Sequence, residues 1–157
     1  MATMETLRGK GQTDVIKTSD EGIKEAGDIG QEIEGVKNQL SDMPSGLDPE
    51  VVQGIDNAKE SAREEARQDV EQVINGKIEE SRRNAESIKQ EINGKIADNN
   101  SAANKLSGID SKYGAAAIAN AKQAIDQNTK TGEDINNELQ QAVDNAKRQV
   151  EGIKNSI

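Results

Sequence analysis

Histidine, cysteine, phenylalanine and tryptophan are absent from the 157-residue chain, and tyrosine occurs once, at Tyr113. Without cysteine there are no disulfides and no thiolate metal sites. Without histidine the commonest general base and imidazole ligand are gone. Aromatic rings contribute the largest burial per residue, so a thick globular core is not expected. What remains for a core is a thin seam of Ile, Val, Leu and Ala between long helices. Hydrophobic residues make up 32% and charged residues 31% of the chain, near the border where burial no longer offsets ordering entropy.

The search for chemistry is correspondingly short. No phosphate-cradling glycine motif occurs, and the serines have no activating base. Carboxylates lie on helix faces among bases at helical spacing, as with Glu60, Glu64, Arg63 and Arg67, which is ordinary helix support. Asp42, Asp48 and Glu50 lack the alternation of oxygen ligands a calcium loop needs. The chain is therefore expected to have no catalytic residues, no cofactor, no metal and no small-molecule substrate.

The net charge is −9 and unevenly spread. Residues 1–80 carry 19 acids and 9 bases, net −10, whereas residues 81–157 carry 10 acids and 11 bases, net +1. An acidic surface argues against nucleic acid, where phosphate contacts dominate affinity. No run is long and apolar enough for a membrane span, and the N-terminus lacks a signal-peptide core. The expectation is synthesis in the cytosol, with any export independent of a cleaved signal.

Only two prolines occur, Pro44 and Pro49, and they bracket the clearest break. Pro44 disfavours helix at Met43, and Asp48-Pro49 pairs an N-cap with proline at the first helical position. Upstream, Ile23, Ala26, Ile29, Ile33, Val36, Leu40 and Met43 recur at spacings of three and four, one face of a helix. Ser19-Asp20 offers a cap, with Thr13-Asp14 as an earlier start. Downstream, Val52, Ile55, Val70, Ile78, Ile88, Ile92 and Ile96 continue the pattern. The pentapeptide Ile-Asn-Gly-Lys-Ile occurs at 74–78 and again at 92–96; an offset of five α-helical turns would put both copies on one face. A last helix from about Ala115 carries Ile118, Ile125, Ile135, Leu139, Val150 and Ile153, with Thr129–Asp134 as a candidate kink.

These patterns give an all-α chain. Long antiparallel helices would form a helical hairpin or a three- or four-helix bundle with coiled-coil-like seams. Residues 1–13 read as a flexible arm and 14–157 as a single bundle. Its helices fall near 14–42, 49–106 (98–101 a candidate break) and 115–157. Local matches, Leu40-Ser41 with Leu106-Ser107 and Asn57-Ala58-Lys59 with Asn120-Ala121-Lys122, fit either tandem hairpins or chance. As tandem hairpins, the second connection would be three residues shorter.

Glycines stand inside the helical patterns, among them Gly22, Gly27, Gly30, Gly35, Gly76, Gly94, Gly132 and Gly152. Each costs about 1 kcal/mol relative to alanine in a helix interior, and domains have only about 5–15 kcal/mol to spare. Small residues suit either a further helical surface that completes the fold or close packing within one bundle. The candidate interaction seam comprises Ile23, Ile33, Val36, Leu40, Ile55, Val70, Ile78, Ile88, Ile92, Ile96, Ile135, Leu139, Val150 and Ile153, with Pro44 and Gly46 at the turn. Tyr113 would close a bundle end or anchor a partner.

The Pro44-Ser45-Gly46 turn with helices on both sides resembles the helix–turn–helix of WXG-type proteins of type VII secretion. It is also similar to the longer helical partners of LXG toxins. The likeness covers about Ile23 to Ile96, with Gly46 at the family's turn glycine and the Ile-Asn-Gly-Lys-Ile segments on the following helix. Pro44 stands where that family has tryptophan, and Ala117 follows Tyr113 at the distance of the family's export-motif acid. The resemblance implies a secreted helper or targeting partner that pairs with another helical protein. Two other readings stand beside it: a self-associating coiled-coil scaffold or filament component, and a hydrophilic stress-type protein that folds on binding.

Overall fold

The computed structural model describes residues 3–42, 46–109 and 114–157. Every regular element among them is helical: α1 (Met4–Gly11), α2 (Lys17–Ser41), α3 (Pro49–Val73), α4 (Glu79–Ser107) and α5 (Ala115–Ser156). A π-helical segment, Gln12–Ile16, joins α1 to α2, and another, Ile74–Ile78, joins α3 to α4. Helical residues are thus contiguous over 4–41, 49–107 and 115–156, the all-α helical bundle that the 3/4 periodicity predicts.

The boundaries follow local chemistry. Asp48 caps α3, its carboxylate accepting from the Glu50 backbone N–H at 3.1 Å with Pro49 in the first turn. Gly46 (φ +83°) and Gly114 (φ +104°) take left-handed conformations before α3 and α5, which side chains resist. The candidate break at 98–101 lies inside α4: with no proline there, the polar residues simply remain helical. The candidate kink at Thr129–Asp134 lies inside α5. Thr131 does not cap a new helix; its hydroxyl donates back to the Gln127 carbonyl at 2.9 Å, the i−4 bond open to a mid-helix threonine. The flanking helices end at Ser41 and Ser107 and resume at Pro49 and Ala115.

The stretch read as a flexible arm is helical instead. Thr3 caps α1, its hydroxyl accepting from the Thr6 N–H at 3.1 Å. Met4 and Leu7 are buried, Leu7 completely. Their spacing, continued by Gly11 and Val15, makes one apolar stripe, and burial of that stripe orders the segment despite its polar neighbours.

The chain divides into two compact units where a single bundle was expected: Met1–Ile16 with Ser81–Val143, and Lys17–Glu80 with Asp144–Ile157. The core residues likewise fall into two clusters. The first unit gathers Met4, Leu7, Val15, Ala85, Ile88, Ile92, Ile135, Leu139 and Val143, with Ile96 against them. The second gathers Ala26, Ile33, Ala66, Val70, Val73, Ile78, Ala146, Val150 and Ile157, joined by Ile23, Ile29, Ala62, Ile74 and Ile153. In sequence, each apolar run is interrupted by a buried serine, Ser19 after Val15 and Ser81 after Ile78.

The repeated pentapeptide takes two conformations. At 74–78 it forms the π-helical segment and buries its last isoleucine, Ile78, in the second cluster. At 92–96 it is α-helical and buries its first, Ile92, in the first cluster. A π turn holds one residue more than an α turn, and the two copies bury different isoleucines on the stripe that runs through Ile78, Ser81, Ala85, Ile88 and Ile92.

Candidate protein-interaction surface

Most of the predicted seam is used inside the chain. Ile88, Ile92, Ile135 and Leu139 are buried in the first unit, with Ile96 packed on them. Ile33, Val70, Ile78 and Val150 are buried in the second, with Ile23 and Ile153 at their edge. Leu40 and Ile55 are half-buried, and Val36 is 39% exposed. Pro44 and Tyr113 lie outside the described residues.

The burial pattern along the chain separates the helices into closed and open stretches. From Glu34 to Glu65 no described residue is buried, and from Ala97 to Thr131 none is either. The facing ends of α2 and α3, and of α4 and α5, therefore lack a buried seam of their own. Periodicity does not predict this, because Val36, Leu40, Val52, Ile55, Leu106, Ile118 and Ile125 keep the same 3/4 spacing as the core. Val51 and Val52 at the start of α3 are 47% and 45% exposed. Exposed valine is ordinary singly; here it stands with Val36 on the end of the hairpin where no described residue is buried.

The helical glycines also fall into two kinds. A Cβ added at Gly11 would lie 2.6 Å from Leu139 Cδ2; at Gly22, 2.9 Å from Ile78 Cδ1; at Gly132, 2.8 Å from Met4 Cε and 3.0 Å from Ile92 Cγ2. These three let helices of one unit approach closely. Gly27, Gly35 and Gly152 would meet nothing within 4 Å among the described residues, so no described contact explains them. Together with Gly30 they line a groove of about 740 Å³ between α2 and the last turns of α5, over Ile33, Ile153 and Ile157.

A second groove, of about 230 Å³, runs between α2 and α3 in the same unit. Ile29, Ile33, Val36, Ala62 and Ala66 form its apolar surface, and among the described residues Glu32, Glu65 and Asp69 are its only charged lining. Nearby, Glu60 pairs with Arg63 at 3.6 Å and Arg67 at 3.8 Å, and Glu64 pairs with Arg67 at 3.7 Å. Among the described residues Glu32, Glu65 and Asp69 have no such basic partner within 4.0 Å.

No family model, no curated protein and no solved structure matches the chain. The functional reading therefore rests on its own residues. Among those described, no three His, Cys, Asp or Glu side chains cluster as metal ligands, and no helix is long and apolar enough to cross a membrane.

Proposed function

We propose that the chain is a non-catalytic helical binding partner or adaptor, and that the α2–α3 end of the second unit receives a helix from another protein. The observation that carries this reading is the absence of any buried residue over 34–65 among those described, on helices whose apolar spacing continues unchanged. A helix pair gains most of its stability by burying an apolar face, and this face is at most half-buried among the described residues. Gly35 and Gly54, the helical glycines within this stretch, support the same reading, since each forgoes helix stability and a Cβ there would meet nothing within 4 Å.

The architectural resemblance to WXG-type proteins and LXG-toxin partners supplies a setting: an effector-targeting partner in type VII secretion, exported without a cleaved signal. The uncovered α4–α5 end, with Ile109 44% exposed, supports the second reading of a self-associating scaffold, because each chain then carries two incomplete hairpins.

Site-specific photo-crosslinking in the producing cell tests the proposal. A crosslinker at Val51, compared with one at exposed Gln72, is expected to capture one discrete helical protein at Val51 alone. Capture of a second copy at Val51 supports the scaffold. Equal labelling at both positions, or none at Val51, overturns the docking assignment.

A further inference from the structure

We infer that the α2–α3 groove selects a basic amphipathic helix, one whose apolar stripe is flanked by lysine or arginine; this rests on the helical-partner reading and specifies its chemistry. The groove supplies both halves of that recognition. Ile29, Ile33 and Val36 on α2 present about two helical turns of apolar surface, and Ala62 and Ala66 on α3 about one. The alanines keep the α3 side low, leaving room for the larger side chains of an incoming stripe.

The rim supplies the charge. Glu32, Glu65 and Asp69 line the groove with no base among them, while the neighbouring carboxylates Glu60 and Glu64 are already paired with Arg63 and Arg67. Residues 29–69 hold ten acids against four bases, so the field around the groove has the same sign as its rim. Unpaired carboxylates beside an apolar surface favour a partner whose cations reach the rim as its stripe covers the floor. A second copy docking through the same groove would face Glu32, Glu65 and Asp69 with their own counterparts, a like-charge juxtaposition that an isologous contact cannot avoid.

Two labelled peptides test the inference on the intact chain. Both are helices of roughly 20 residues, long enough to hold a stripe, with the same Leu/Ala stripe; one is flanked by lysine and the other by glutamate. In fluorescence anisotropy the lysine-flanked peptide should bind at least about tenfold more tightly, and its affinity should fall about tenfold or more between about 50 mM and about 500 mM salt. The surface variant Glu32→Gln/Glu65→Gln/Asp69→Asn should remove that preference while circular dichroism stays unchanged. The single reversal Glu32→Lys should weaken lysine-peptide binding in the same direction. Equal binding of both peptides, or a preference untouched by the triple variant, overturns the inference. Self-association relieved by the triple variant, read by sedimentation, also overturns it. Failure of both peptides together with discrete capture at Val51 sinks this groove's specificity and leaves the helical-partner reading standing; failure of both peptides with no capture at Val51 sinks the two together.

Discussion

The buried Ser81 hydroxyl on α4 donates to the Val15 carbonyl at 3.3 Å, and Val15 belongs to the π-helical segment that follows α1. One turn along, the Asn84 amide donates to the Asp14 carbonyl at 3.1 Å. Where an α-helical ladder widens into a π turn its carbonyls lose their regular geometry, and two side chains of α4 supply donors to them. The bulge thus meets two side-chain donors of α4 within the first unit, whose core includes Leu7, Val15 and Ile88.

The two buried serines should respond oppositely to alanine. Ser81→Ala leaves the Val15 carbonyl without its side-chain donor and should cost about 1–3 kcal/mol, the penalty for an unmade buried hydrogen bond. The Ser19 hydroxyl is buried with no partner among the described residues, so Ser19→Ala removes a desolvated polar group. It should be neutral or stabilising by up to about 1 kcal/mol. Urea denaturation of the two variants reads the difference directly.

Glycine substitutions separate close packing from open surface. Gly94 is helical, and a Cβ added there would meet nothing within 4 Å, so Gly94→Ala should stabilise by about 0.5–1 kcal/mol. Gly132→Val would press a branched side chain onto Ile92 Cγ2 and Met4 and should destabilise by about 1–3 kcal/mol through overpacking. Thermal unfolding followed by circular dichroism orders the pair.

The amino-terminal helix is a structural member of the first unit. Leu7→Ala should cost about 2–5 kcal/mol, as for other fully buried leucines. Val51→Ala, at a position 47% exposed, should stay within about 0.5 kcal/mol. If Leu7→Ala is as mild as Val51→Ala, α1 does not pack as described.

Much of the architecture was legible in the amino-acid pattern. Pro44, Asp48 and Pro49 locate the first connection because each acts on the backbone within a residue or two. Ile33, Val70, Ile92, Ile135 and Leu139 show their burial through spacing alone. The α1 helix was legible too, since Thr3 is a capping residue and Met4, Leu7, Gly11 and Val15 share a stripe, but the polar composition of 1–13 masked it. The π segments were not legible: an inserted residue leaves no local mark, and Ile-Asn-Gly-Lys-Ile adopts both conformations. Nor could spacing separate the seam that is covered, at Ile88 or Val150, from the seam left open at Val36 and Ile55. That difference depends on which third helix lies alongside, a tertiary fact.

Hydrogen–deuterium exchange on the isolated chain tests the central claim, that the hairpin ends are incomplete helix pairs. Local opening free energy follows buried apolar contact. Helical amides over 34–41, 50–65, 97–107 and 116–131 should therefore exchange at least about tenfold faster than those around Ile88, Leu139 and Val150. Protection of the hairpin ends equal to that of these core positions would contradict the account.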